Sequence, residues 1–269
     1  MSTFSMSTMS AISLRPLLQA SDLVWAWTAR TIRGRYQQSL LGWLWAVVQP
    51  AATVTVFTIV FTRFVPINTG TIPYPVFSYT AMVPWTFLAA SLSDMAASLV
   101  QNMNLVMKIY FPREALPLAA MLARAMDFLV ASALLVFLLI YFQVPVAPLV
   151  LLLLPFVFAV QVALIVGVGL IAAALNVFYR DVQPMLVLVL QLWFYASPII
   201  YPVSRVPEGL RNYYFLNPMV GILESYRDIL LRGTLPGTYL LYSVVLSLAI
   251  CALGFVFFKR VEHLFADIV

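Results

Sequence analysis

Six long apolar runs constrain this chain more than any other feature of its sequence. They lie at 41–62, 76–99, 118–142, 146–175, 184–201 and 239–258. A continuous apolar run of this length crosses the ~30 Å hydrocarbon core of a bilayer as a helix. A membrane β-barrel would instead need alternating segments of about ten residues. We therefore predict an all-α integral membrane protein with six transmembrane helices in residues 41–269.

The composition excludes several other classes of protein. Hydrophobic residues make up 63% of the chain and charged residues 9%, whereas soluble domains carry about 25% charged residues. The chain has one cysteine, Cys251, and one histidine, His263, with no second cysteine or histidine nearby, so no metal site is predicted. The net charge of +5 is scattered among the membrane ends, which is not the basic stripe of a nucleic-acid-binding protein.

The basic residues predict the orientation. An even number of crossings places both termini on one side, and that side would carry most of the cations: Arg15, Arg30, Arg33, Arg35, Lys108, Arg113, Arg180, Lys259 and Arg260. The positive-inside rule makes it the cytoplasm. We expect a multi-pass protein of the bacterial cytoplasmic (inner) membrane, with both termini cytoplasmic. Residues 1–20 lack the apolar core of a signal peptide and are expected to form a disordered cytoplasmic lead.

Residues 21–40 have the pattern of an amphipathic helix. At 100° per residue, Trp25, Ala29 and Ile32 share one face, and Arg30 and Gly34 lie roughly opposite. Such a helix lies in the headgroup layer, with its arginines near anionic lipid. The weaker alternative is a core helix of a soluble domain.

The connection between the second and third runs reads VQNMNLVMKIYFPREALP at 100–117. Pro112 disfavours helix at Phe111 and can begin a new helix, so a short helix flanked by turns is predicted. Its apolar and charged side chains suit the groove of another protein, although a solvated connector remains the alternative. The candidate docking residues are Leu105, Lys108, Ile109, Phe111, Pro112, Arg113 and Glu114.

Residues 203–234, between the last two runs, are predicted to face outward. Asn217 and Pro218 are a typical helix start and Gly233 is a typical stop. The helix between them is too short to span a membrane. Glu224 can pair with Arg227, or Asp228 with Arg232. We predict a re-entrant helical hairpin, with a peripheral amphipathic cap as the alternative.

Four motifs in this order resemble a known family. They are RTIRGRYQQSLLGWLWAVVQP at 30–50, KIYFPREALPLA at 108–119, NVFYRDV at 176–182, and YASPIIYP at 195–202 with FLNPM at 215–219. Together they resemble the membrane subunit of type-2 ABC exporters for lipid-linked polysaccharide. The resemblance is strongest to O-antigen permeases, with teichoic acid and capsule permeases a step behind.

The resemblance implies an assembly. Two copies of the chain would form a channel and pair with two copies of a separate ATPase, which would hold ATP and Mg²⁺. Residues 21–40 would be the interface helix, residues 104–116 the coupling helix that docks into the ATPase, and the 203–234 hairpin the outward re-entrant helices. The chain itself contains no G-x-x-x-x-G-K-[ST] sequence, the loop that holds the phosphates of ATP. We therefore expect this chain neither to hydrolyse ATP by that route nor to bind a cofactor.

Candidate substrate-contacting residues follow from chemistry. Arginine side chains bind the phosphate oxygens of a lipid pyrophosphate well. The candidates for this contact, at the cytoplasmic entry of the headgroup, are Arg30, Arg33 and Arg35. General binding of anionic lipid is the alternative. Ring faces accept sugars, so the candidates for a glycan channel are Trp85, Trp193, Phe194, Tyr195 and Tyr201. An ordinary membrane aromatic belt would explain these rings as well.

Charged residues inside the spans are also candidates. Arg124 and Asp127 are three residues apart, so a structural pair is favoured over a substrate site. Asp94 has no cation nearby in the sequence, which leaves a polar channel face or a capped helix.

Two other function classes compete. A secondary transporter would need inverted repeats and ionisable residues at the midplane, and no convincing repeat relates the two halves of the chain. A membrane enzyme would need a carboxylate or histidine constellation, which Asp94, Asp127 and His263 do not form in the sequence.

Overall fold

The computed structural model describes residues 21–37, 40–70, 72–108 and 111–266, and every regular element within these ranges is helical. The α-helices are α1 (Ser21–Tyr36), α2 (Trp45–Ile59), α3 (Tyr74–Gln101), α4 (Met103–Lys108), α5 (Ala115–Tyr141), α6 (Pro148–Leu151), α7 (Leu154–Phe178), α8 (Val182–Tyr195), α9 (Glu208–Tyr214), α10 (Pro218–Arg227) and α11 (Tyr239–Val261). The predicted all-α class is confirmed. The lead predicted for 1–20 and the docking candidate Ile109 lie outside the described residues.

Short helical turns extend several of these helices. A 3-10 turn at Gly42–Leu44 leads into α2, and a π-helical turn at Val60–Phe64 follows it. A second π-helical turn, Asp228–Arg232, continues α10, and a 3-10 turn, Glu262–Ala266, continues α11. The last of these turns packs against α4 and α7.

Five helical segments are long and apolar enough to cross a membrane: Gly42–Phe64, Tyr74–Gln101, Ala115–Tyr141, Pro148–Phe178 and Tyr239–Phe265. They coincide with five of the six predicted spans. The remaining one, 184–201, corresponds to α8, which has 14 residues. At 1.5 Å per residue, α8 is about 21 Å long, which is less than the ~30 Å of hydrocarbon. A sixth crossing therefore stays a prediction.

Helix α3 lies at the centre of the bundle. In its most apolar stretch 67% of the residues are buried, against 28% or less in the other four spans. It packs against α2, α5, α7, α8 and α10. The outer spans expose large apolar side chains such as Ile140, Leu149 and Leu253, which is the pattern expected of surfaces that face lipid or another subunit.

Two glycines allow α7 and α11 to approach closely. A Cβ atom on Gly254 would lie 2.2 Å from the carbonyl oxygen of Gly167, and a Cβ on Gly167 would lie 2.5 Å from the backbone of Ile250. Small residues at helix crossings allow such backbone contact in membrane proteins. These two helices make the most extensive contact between any two elements among the described residues.

Helix α10 is short but completely enclosed. All of its residues are buried, among α3, α7 and α11. The Asn217 side chain caps its start by accepting from the backbone N–H of Met219 at 3.1 Å, and Gly233 follows its π-helical turn with a φ of 64°. The start and stop predicted for this helix are both present.

Candidate functional site

Four charged side chains join α1 to two of the spans. Arg35 of α1 donates to Asp94 of α3 at 2.5 Å and to Asp127 of α5 at 3.0 Å. Arg124 of α5 donates to the same carboxylates, at 2.7 Å from Nε to Asp94 and 3.0 Å from Nη1 to Asp127. We call this set the charge tetrad. Its two positive and two negative charges balance, which limits the cost of partial burial.

The tetrad changes the interpretation of Asp94. The sequence offers no cation near Asp94, yet the fold brings two guanidinium groups to it. The carboxylate therefore neither caps its own helix nor stands alone on a channel wall. The pair between Arg124 and Asp127 suggested by the sequence is present at 3.0 Å, as part of the larger set.

The tetrad also divides the three arginines of α1. Arg35 is half-buried and bonded to two carboxylates, whereas Arg30 and Arg33 are exposed. The Arg30 guanidinium lies 4.5 Å from the centre of the Trp27 ring. Arg30 lines a cavity of about 340 Å³ between α1, α3 and α5, together with Trp27, Arg35 and Asp94. Arg30 is the exposed cation of this cavity, and the charges of the neighbouring tetrad cancel one another.

A second cavity, of about 500 Å³, opens on the other side of the tetrad between α2, α3 and α5 and reaches Phe194 of α8. Its lining combines aromatic rings, hydroxyl and amide groups, and two members of the tetrad. The lining includes Trp45, Gln49, Thr53, Trp85, Thr86, Ser93, Arg124, Asp127, Phe128 and Phe194. Rings beside hydrogen-bonding groups are the chemistry that sugars require.

The predicted aromatic residues divide into a packed set and an exposed one. Trp85 packs edge-on against Trp193 and Phe194, with ring centres 6.0 and 5.6 Å apart. The Trp193 indole N–H donates to the Asn217 side chain at 2.8 Å. Trp193 therefore ties α8 to the start of α10, and Trp85 and Phe194 are the two candidates that reach the second cavity.

Tyr195 is the last residue of α8, and Tyr201 lies in the irregular stretch that follows. The Tyr195 ring is 59% exposed. The Tyr201 hydroxyl donates to the Tyr195 carbonyl at 3.0 Å and lies 3.0 Å from the Tyr214 hydroxyl. Burial, followed by the shared hydrogen bond with Tyr201, raises the pKa of Tyr214. Because the Tyr201 proton is used at the Tyr195 carbonyl, the Tyr214 hydroxyl is the donor to Tyr201.

The predicted coupling segment is helical over a shorter range than 104–116. Helix α4 covers Met103–Lys108, residues 111–114 are turn, and α5 begins at Ala115. The break coincides with Pro112, which has no N–H and disfavours helix at the preceding residue. Within α4, Lys108 is exposed, Leu105 is half-buried and Val106 is buried.

The last residues of this segment point into the chain. Phe111 packs against the core, the Arg113 guanidinium lies over the Phe265 ring, and Glu114 is completely buried. The partner of Glu114 is Lys259 of α11. From the sequence, Lys259 indicates only which side of the membrane is cytoplasmic. The spacing of Lys259 and Glu262 by three residues is a local signal of an ion pair, but no local pattern points to Glu114.

The segment between α8 and α11 carries a charge cluster in which Arg227, Glu224 and Asp228 are buried and Arg232 is exposed. Arg227 pairs with Glu224 at 2.8 Å, and Arg232 pairs with Glu224 at 3.0 Å and Asp228 at 2.5 Å. Both pairs that the sequence offered as alternatives are thus formed together. In the described part of the chain, no group of three or more histidine, cysteine, aspartate or glutamate side chains could hold a metal ion.

Residues 22–231 match the family model described as ABC-2 type transporter. Two O-antigen export system permease proteins named RfbA are similar to this chain. The protein from Klebsiella pneumoniae is 29% identical over 92% of this chain and 95% of its own length. The protein from Myxococcus xanthus is 30% identical over 83% of this chain and 85% of its own length.

A relative with a different substrate name also matches. The polysialic acid transport protein KpsM of Escherichia coli is 24% identical over 87% of this chain and 91% of its own length. The similarity thus extends over 85–95% of the length of each of these three relatives.

Proposed function

Because the chain belongs to the ABC-2 type transporter family, we propose that it is the membrane subunit of an ATP-driven exporter of polysaccharide. Two copies of the chain form the channel, and two copies of a separate ATPase bind ATP and Mg²⁺ and hydrolyse ATP. The end-to-end similarity to polysaccharide permeases is the observation that carries this proposal.

The proposed cargo is an undecaprenyl-pyrophosphate-linked polysaccharide, carried from the cytoplasm to the periplasm or exterior. The names of the RfbA relatives favour O-antigen. A capsular polysaccharide or teichoic acid of the same lipid-linked kind is the alternative, and the similarity to a polysialic acid transport protein keeps it open. A secondary transporter is a more remote alternative.

Arg30 and Arg33 of α1 are the proposed contacts for the pyrophosphate headgroup. Both are exposed on a helix predicted to lie in the headgroup layer, and guanidinium groups bind phosphate oxygens through paired hydrogen bonds. Arg35 was predicted to share this role. Since it is bonded to Asp94 and Asp127, we propose that it mainly attaches α1 to the spans beneath.

The second cavity is the proposed wall of the glycan channel in each subunit. Trp85 and Phe194 supply ring faces, while Thr53 and Ser93 supply hydroxyl groups. Weak stacking and scattered hydrogen bonds allow a long polymer to slide. Tyr195 and Tyr201 are the proposed glycan contacts at the far end of this path, beside the proposed hairpin.

Six membrane passes and a cytoplasmic location of both termini belong to this proposal. The fifth pass combines α8 with the turns that follow it up to Ile200, because α8 alone is too short. Helices α9 and α10 would then form the re-entrant hairpin. Complete burial of α10 within the chain supports this placement, since non-spanning backbone is tolerated at membrane depth only when protein or water covers it.

The proposal is tested by purifying the tagged chain from a host that carries the neighbouring genes, in mild detergent. Mass spectrometry identifies the proteins that accompany it, and an ATPase assay follows the complex. A stoichiometric ATPase with hydrolysis supports the exporter. A chain that purifies alone, without hydrolysis, overturns it and favours the secondary transporter.

A Phe111→Asp/Arg113→Asp variant tests the coupling segment in the same preparation. If docking needs the turn that Phe111 and Arg113 hold in place, this variant loses the ATPase while the chain remains in the membrane as a dimer. A Lys108→Gln variant, which changes one exposed side chain of α4, serves as a milder comparison. Full retention of the ATPase by the double variant would show that docking does not need the contacts of Phe111 and Arg113.

A further inference from the structure

An ion pair connects the coupling segment to the far end of the chain. The Glu114 side chain is 0% exposed, and its Oε1 lies 2.6 Å from Nζ of Lys259, which is 10% exposed. Nζ of Lys259 also lies 3.2 Å from Glu262. A carboxylate with no access to water needs such a cation to remain ionised. Glu114 immediately precedes α5 and Lys259 belongs to the last turn of α11, so the pair joins the ends of two spans.

A second contact reinforces this connection. The Arg113 guanidinium donates to the backbone carbonyl of Glu262 and lies 5.7 Å from the centre of the Phe265 ring. The Phe265 ring is completely buried and packs at 5.7 Å against both Phe178 and Phe258. Arg113 is thus bonded to a segment that is itself anchored in α7 and α11.

A third contact reaches the other side of the segment. The 3-10 turn Glu262–Ala266 packs against α4, whose Val106 is buried in the core. The C-terminal turn therefore touches α4, which precedes residues 109–110, and also Arg113, which follows them. We call Lys259, Glu262 and Phe265 the C-terminal clamp.

We propose that the C-terminal clamp positions the coupling segment, so that movement of a docked ATPase is passed to α5 and α11 together. This inference rests on the proposed function, because it needs an ATPase partner. The clamp residues hold the segment from inside, whereas the exposed part of α4 remains available for docking. Lys259 and Phe265 are accordingly positioning residues, and loss of the clamp should separate ATP hydrolysis from export.

The test uses the complete complex of chain and ATPase. Lys259→Met removes the ammonium and leaves Glu114 buried without it. Lys259→Arg keeps the charge, and Arg260→Gln changes the exposed neighbour on the same turn as a matched control. Three quantities are measured for each variant: ATPase bound per chain, ATP hydrolysed per complex, and polysaccharide exported per chain present in the membrane.

We expect Lys259→Met to retain the bound ATPase and its hydrolysis, and to lower export per ATP hydrolysed by about 2- to 30-fold, the range found for residues that transmit coupling. Lys259→Arg and Arg260→Gln should stay near the wild-type ratio. An unchanged ratio in Lys259→Met would overturn the proposal, as would loss of the bound ATPase, because the clamp would then serve docking itself.

A double variant separates positioning from a simple folding defect. Lys259→Met/Glu114→Met removes both charges from a buried site, and apolar replacement of a buried ion pair often preserves stability. If this variant accumulates normally yet still shows the lowered export ratio, the charged clamp is required. Full export by the double variant would overturn the proposal. Failure of the wild-type chain to bind any ATPase would instead refute the proposed function, and the clamp with it.

Discussion

The guanidinium carbon of Arg227 lies 3.7 Å from the centre of the Phe77 ring. The Arg227 side chain is completely buried and donates to Glu224 at 2.8 Å and to the Ile199 carbonyl at 3.0 Å. These contacts connect α3, the turn after α8, and α10 at one side chain. A buried arginine held by these three contacts fixes α10 against the centre of the bundle.

We predict that Arg227→Met lowers the Tm of the purified chain strongly. The variant removes the closer of the two arginine partners of Glu224, and breaking a buried pair costs up to about 3–5 kcal/mol. Arg205→Met is the control, because Arg205 is exposed in the same outward segment. The two variants are compared by thermal unfolding in detergent, and equal Tm values would mean that Arg227 does not hold α10 in place.

A second prediction concerns the contact between α7 and α11. Gly254→Ala places a methyl group 2.2 Å from the Gly167 carbonyl oxygen, so the helices must separate, at a cost of about 1–3 kcal/mol. Gly209→Ala in α9 meets nothing within 4 Å, and alanine is favoured over glycine in a helix by about 0.5–1 kcal/mol. The two substitutions should therefore shift Tm in opposite directions. A rise in both would contradict the close approach.

A third prediction tests whether the charge tetrad acts as a unit. Arg35→Gln and Asp94→Asn should be non-additive in unfolding free energy, with an interaction of about 0.5–3 kcal/mol, as expected for residues in one ionic network. Arg33→Gln combined with Asp94→Asn is the control cycle, since Arg33 is exposed on the same helix. Additivity in the Arg35 cycle would indicate that α1 is held mainly by its apolar face.

Patterns that are local in sequence were sufficient to predict much of this fold. Apolar runs predict the five spans that the structure contains, because each helix must satisfy its own backbone in lipid. The start of α10 follows from Asn217 and Pro218, and the pairing of Glu224 with Arg227 follows from their spacing. In each case the partners lie within a few residues of each other, where helix geometry alone sets the distance.

The contacts that local patterns do not predict join distant parts of the chain. Arg35 and Asp94 are 59 residues apart in sequence, and no periodicity relates them. The pairing of Glu114 with Lys259 depends on how α5 and α11 pack. The fifth helix is shorter than the predicted span 184–201 for another reason. The apolar sequence continues through residues 196–200, although α8 ends at Tyr195.

The last prediction concerns the headgroup contacts on α1. Arg30→Gln/Arg33→Gln should lower export while the amount of chain in the membrane stays constant, because hydrogen bonds between guanidinium and phosphate contribute about 1.5–3 kcal/mol each. The corresponding loss in headgroup affinity is about tenfold or more for each arginine removed. Exported polysaccharide is measured on gels and divided by the chain in the membrane, determined by immunoblot. Arg30→Lys/Arg33→Lys keeps both charges but loses the paired hydrogen-bond geometry, so its export should be intermediate. An equal fall in export and in membrane content for the glutamine variant would show that these arginines only orient the chain.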